Sequence, residues 1–181
     1  SAALVEELQD CDLSDFNVVI MMLDAVALTD GLVATVALGI NEEGQKRVLG
    51  FRVGHSENQQ VCEDLLGSLS RRGLKVANGR RLLAVLDGSK ALKNALLSRY
   101  PNTLIQRCLV HKERNLQGYL SKRHWGELAR LFARLRKSQG AQSGKEAADA
   151  IELFLADKND QARSSLEAVS YTHLRAHETD S

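Results

Sequence analysis

The chain has no long apolar run, only three cysteines, and not one lysine or arginine in its first thirty residues. Each scarcity excludes something. No stretch approaches the roughly 20 apolar residues that span a bilayer, and no basic-then-apolar leader opens the chain, so a membrane partner is not expected. Cys11, Cys62 and Cys108 are odd in number and widely scattered. That argues against a disulfide framework and for reduced thiols in a cytosol, so the expected setting is cytoplasmic. What remains is ordinary for a globular domain. With 181 residues, 44% hydrophobic and 26% charged, the chain is long enough for one domain with room for an appendage.

The net charge of +1 conceals a polarity. Residues 1–30 carry seven acids (Glu6, Glu7, Asp10, Asp12, Asp15, Asp24 and Asp30) and no base. Residues 107–137 carry nine bases against Glu113 and Glu127, a local charge of +7. A segment that basic fits a phosphate-contacting surface. A solvated helix face is the other reading.

Two apolar runs each end in an aspartate: Val18-Val19-Ile20-Met21-Met22-Leu23-Asp24 and Leu82-Leu83-Ala84-Val85-Leu86-Asp87. Such runs predict central strands covered on both faces. A carboxylate at the strand's exit sits where open α/β sheets place their chemistry. The first run leads through Thr29-Asp30-Gly31 into a strand over 32–40, then a short Asn41-Glu42-Glu43-Gly44 loop and a third strand over 47–53. An antiparallel meander is the simplest arrangement. Val61, Leu65, Leu66 and Leu69 then recur at helical spacing, and Gly73 closes that helix. The Asp87 strand follows, then a helix from Ser89 with Ala91, Leu92, Ala95 and Leu96 inward, and a short strand at 103–105.

From about residue 111 the period is helical. Trp125, Leu128, Leu131, Phe132 and Leu135 make one stripe, and Ala147, Ala148, Ile151, Phe154 and Leu155 another, with a Gly/Ser/Gln linker at 138–144 between them. The expected fold is therefore α/β: a mixed sheet of three antiparallel strands followed by β-α-β-α, with a C-terminal all-helical insertion. In the ribonuclease H-like fold that order sets the first and fourth strands side by side, so Asp24 and Asp87 would face one cleft. The expected divisions are an acidic stub at 1–14, a core over 15–122, the helical insertion over 123–168 and a tail over 169–181.

Several strings resemble a family. Leu23-Asp24, the hairpin over 38–44, Val48-Leu49-Gly50, Leu86-Asp87-Gly88-Ser89-Lys90-Ala91-Leu92 and, most specifically, Gln106-Arg107-Cys108-Leu109-Val110-His111-Lys112-Glu113-Arg114-Asn115 look like the transposases of Mutator-type bacterial insertion sequences. The resemblance covers about residues 15–168. It implies a ribonuclease H-like catalytic domain whose Asp-Asp-Glu triad holds two magnesium ions, manganese being a possible substitute. By position, Asp24 matches the first acid and Asp87 the second. The implied activity is metal-dependent DNA cleavage and strand transfer in a nucleoid-associated bacterial enzyme. Its implied partners are terminal inverted repeats, target DNA and, in the intact protein, a second copy of itself.

The chemistry calls for such residues. Cutting a phosphodiester needs one ion to activate the attacking oxygen and another, about 3.5–4 Å away, to stabilise the leaving one. Magnesium takes few carboxylates and keeps waters, so two or three acids suffice. The triad's glutamate is expected beyond the helical insertion, and none of Glu113, Glu127, Glu146, Glu152 and Glu167 matches its position. Leu-Asp-Ala also stands here where Leu-Asp-Gly is usual. The chain as it stands is therefore expected to be inactive alone. Two alternatives stay open: a non-catalytic DNA-binding or dimerisation module, and another metal-dependent nuclease of the same fold.

Arg107, His111, Lys112 and Arg114 are the candidate DNA contacts. Cys108, His111 and Asn115 belong to the signature string without an assigned role. Cys108 and His111 could supply two zinc ligands, but no second pair stands at ligand spacing, and Cys62 and His124 would have to be recruited by the fold. A buried thiol with a hydrogen-bonded imidazole is the plainer reading of that pair. Residues 169–179 resemble a translated sequencing adapter, so His173 and His177 are not read as a metal pair.

Overall fold

The computed structural model describes residues 2–29, 31–55 and 59–166. They form two compact units divided between Gln106 and Arg107, earlier than the boundary expected near residue 122. The tail and Glu167 lie outside the described residues.

The first unit is built on a six-stranded mixed sheet. Its strands are β1 (Asn17–Ala27), β2 (Val33–Asn41), β3 (Lys46–Gly54), β4 (Lys75–Val76), β5 (Leu83–Leu86) and β6 (Leu104–Arg107). The order is β3-β2-β1-β5-β6, and the two-residue β4 pairs separately with β1. As expected, β1, β2 and β3 form an antiparallel meander. The Asn41 side chain accepts from the Gln45 amide at 2.8 Å, and Gly44 takes φ 76°, the left-handed geometry a short hairpin loop requires. β5 lies parallel to β1, so the first strand and the fourth long strand are neighbours.

Two bulges rephase the sheet. In β1 the register skips Val19, so Val18 and Met21 are both fully buried although three residues apart. In β3 it skips Leu49, between Val48 and Gly50. One extra residue turns the side-chain alternation over. The core then collects Val18, Met21, Leu23, Ala37, Ala84 and Leu86 from the sheet. Against them pack Leu65, Leu66 and Leu69 of α2 (Gln59–Arg71) and Leu92 and Leu96 of α3 (Lys90–Arg99). Each buried aliphatic side chain of this size contributes about 1.5–3 kcal/mol. On the opposite face Met22, Val26, Val48 and Val53 stay 39–46% exposed.

The stub expected at the start is instead a helix, α1 (Ala2–Asp10). Arg72 holds its end to the sheet: the guanidinium donates to the carbonyls of Cys11 at 2.8 Å, Leu8 at 2.9 Å and, inside the β3 bulge, Leu49 at 2.8 Å. One cation thus satisfies three backbone acceptors that a helix end and a bulge would otherwise leave open.

The second unit is helical among its described residues. It contains α4 (Leu109–Gln117), a 3₁₀ turn (Lys122–His124), α5 (Trp125–Lys137), α6 (Ala141–Lys158) and helical residues 160–166. Both predicted stripes turn inward except at Trp125, which stays exposed, and Leu116, Leu128, Phe132, Ile151, Leu155 and Ala162 are fully buried. The expected linker shrinks to Ser138–Gly140 because α6 begins at Ala141. No described helix is long and apolar enough to cross a membrane.

Candidate active site

The β1–β5 register pairs Leu23 with Leu86, so the next residues are Asp24, still on β1, and Asp87, the first residue past the end of β5. Strands in a sheet run about 4.8 Å apart, a spacing at which two carboxylates can share an ion or a pair of ions. Leu23 and Leu86 are buried in the core. Alternation therefore turns Asp24 to the other face, and both aspartates are half-buried.

The strand does not end at Asp24 as expected. β1 runs on to Ala27, because Asp24 through Ala27 stay paired with β2, ending at Ala27–Val33. It is β5 that stops, at Leu86. Asp24 is thus held between a continuing hairpin and an ending parallel neighbour, while Asp87 opens the turn into α3. Each carboxylate is steadied by backbone: Asp24 Oδ1 accepts from the Ala25 amide at 2.9 Å, and Asp87 Oδ1 from the Ser89 amide at 2.9 Å. Gly88 allows that turn with φ 114°, and Ser89 Oγ caps α3 by accepting from the Leu92 amide at 3.3 Å.

Two hard oxygen donors at the open end of a parallel pair suit magnesium by donor chemistry. They are two and not three: among the described residues no group of three His, Cys, Asp or Glu gathers to hold an ion. That holds for zinc as well. Cys62 is buried in the first unit's core, and His124 stands edge-on to Phe154 in the second unit. Several glutamates are engaged elsewhere. Glu113 accepts from Arg136 at 2.7 Å, Glu152 from Arg163 at 3.1 Å and Glu146 from Gln142 at 2.9 Å.

The signature string belongs to the second unit from Arg107 onward. Arg107 ends β6, and Cys108, a half-buried free thiol, is the N-cap residue of α4 with no side-chain cap bond. His111 lies half-buried in the first turn, and Arg114 and Asn115 are exposed further along. Lys112, expected to meet phosphate, points inward instead. It is 4% exposed, and its Nζ donates to the Ser165 carbonyl and, at 2.9 Å, to Ser165 Oγ. Burial, with Arg107 adding repulsion, lowers its pKa from 10.5 to about 8.

The model of the transposase Mutator family matches residues 4–177. This chain belongs to the Mutator family of transposases. It is 33% identical, over 76% of its length, to the transposase of insertion sequence IS905 from Lactococcus lactis, covering 33% of that protein. It is 29% identical, over 81% of its length, to the IS6120 transposase of Mycolicibacterium smegmatis, covering 45%. The IS256 transposase of transposon Tn4001 from Staphylococcus aureus is 28% identical over 89 residues. The chain thus spans between a third and a half of the first two transposases. The family match runs past Ala168 to residue 177, into the segment that resembles an adapter.

Proposed function

We propose that this member of the family carries the first two acids of an insertion-sequence transposase site, which cuts DNA phosphodiesters and joins the freed strand to target DNA. The observation that carries the reading is the β1–β5 register, whose last pair, Leu23 with Leu86, immediately precedes Asp24 and Asp87 inside the span matched by the family. The adjacency of β1 and β5 in a mixed sheet also supports a ribonuclease H-like fold.

Asp24 is the better bridging ligand, because it lies within a strand that stays paired with β2 through Ala27, whereas Asp87 begins a turn. The ions it would help hold are magnesium, or manganese in its place, and when bound they would activate the attacking oxygen and stabilise the leaving one. With two acids in place of three among the described residues, the chain as it stands is proposed to bind metal weakly and to be inactive alone. DNA ends, target DNA and a second copy of the protein are its proposed partners in a bacterial cytoplasm.

The test is Mn²⁺ binding, followed by electron paramagnetic resonance, in the parent chain and in Asp24→Asn and Asp87→Asn. Each variant is expected to bind at least about tenfold more weakly, or about 1.4 kcal/mol. Parental affinity in both variants would sink the metal-site reading.

A further inference from the structure

Within the second unit, α5 and the start of α6 enclose an open groove of about 710 Å³. Its lining includes Arg130, Ala133, Arg134, Lys137, Gln139 and Ser143, and no acidic residue. The three cations recur at i, i+4 and i+7 on α5, on a different face from the buried Leu128 and Phe132. All three are exposed, and none forms an ion pair among the described residues. Their neighbour Arg136 does, with Glu113. The hydroxyls at the groove's end are turned inward: Ser138 Oγ donates to the Leu135 carbonyl and Ser143 Oγ to that of Gln139. The charge that the groove offers a ligand is therefore all positive.

Uncompensated charge of one sign in a concavity calls for an anion. The spacing says which kind. From Arg130 to Lys137 α5 rises about 10.5 Å, so the three cations form an extended row, a shape suited to a chain of phosphates more than to a single anion. No aromatic ring lines the groove, so it offers unstacked bases no platform. We propose that Arg130, Arg134 and Lys137 grip the phosphate backbone of duplex DNA, independently of its sequence and apart from the Asp24–Asp87 pair. The choice of DNA among polyanions rests on the transposase reading; the groove's preference for phosphate does not.

The experiment measures binding of the 181-residue chain to a short fluorescent duplex of arbitrary sequence, without divalent metal, across a salt series. An Arg130→Ala/Arg134→Ala/Lys137→Ala variant is expected to bind at least tenfold more weakly. The slope of log affinity against log salt should fall by about 2–3, at about 0.9 per phosphate contact. Arg134→Glu alone should weaken binding in the same direction. Arg71→Ala/Lys75→Ala/Arg99→Ala, which removes the same charge from exposed sites in the first unit, should cost less than about threefold. Binding within twofold of the parent in the groove variant, or an equal loss in the control, overturns the proposal. So does a parent chain that binds poly-L-glutamate as tightly as the duplex. Mn²⁺ affinity is read on the same variants and should not change, so failure here is distinct from failure of the metal site.

Discussion

Leu23 and Leu86 face each other across the parallel β1–β5 pair, both buried in the core. That contact fixes where the next two side chains go. Burying two leucines in one core turns Asp24 to the other face and sets Asp87 at the exit of the neighbouring strand, so apolar packing fixes the backbone from which both carboxylates project.

Such a pair is expected to gain stability from a divalent cation. A ligand that binds only the folded state adds RT ln(1 + [L]/Kd), so about 10 mM Mg²⁺ with a Kd of about 1 mM would contribute about 1.4 kcal/mol. Thermal melts with and without Mg²⁺ should show a rise in the parent and little or none in Asp24→Asn or Asp87→Asn. An equal rise in all three would place the ion elsewhere.

The turn after β5 has its own energetics. Asp87 Oδ1 holds the Ser89 amide, and Ser89 Oγ holds that of Leu92, so the strand's exit and the cap of α3 share one short network. Ser89→Ala should destabilise the chain by about 1 kcal/mol through the lost cap. Chemical denaturation would detect this, and an unchanged midpoint would mean that water replaces the hydroxyl.

Much of this was legible in the sequence because it rests on local signals. The apolar runs ending in Asp24 and Asp87, the hairpin glycine Gly44, the helix-closing Gly73 and the helical stripes of α5 and α6 each depend on a few consecutive residues. Hidden features depend on distant ones. The bulges at Val19 and Leu49 appear only once cross-strand partners are known. α1 is acidic enough to pass for a stub, and its end is tied down by Arg72, 64 residues from Leu8. Lys112 reads as a surface cation until Ser165, 53 residues later, covers it. Arg130, Arg134 and Lys137 were countable as charge, but their lack of ion pairs among the described residues was not.

Glycine substitutions should separate steric from conformational effects. A Cβ on Gly39 would come within 2.9 Å of side-chain carbons of both Leu49 and Phe16, which are buried in the core. Gly39→Ala should cost about 1–3 kcal/mol by overpacking. Gly126, in the first turn of α5, has nothing within 4 Å of a new Cβ, and Gly126→Ala should stabilise by about 0.4–1 kcal/mol. Urea denaturation of both variants tests the pair. Shifts of the same sign would contradict the close approach at Gly39.

The buried ammonium of Lys112 should leave a signature in the pH dependence of stability. Its pKa is about 8 when folded, against 10.5 for the ordinary side chain. Below pH 8 both states hold the proton, and the cost of burying the charge is fully present. Between about 8 and 10.5 the unfolded chain binds more protons than the folded one, so stability rises with pH. At about 1.4 kcal/mol per unit, the gain across that window is roughly 2–3 kcal/mol. Above it the neutral amine still donates to Ser165, so the contact outlasts the charge. Urea melts of the parent and of Lys112→Met at intervals from pH 7 to 10 isolate the effect. The parent should gain on the variant as pH rises, and parallel curves would mean that the ammonium is solvated in the folded chain.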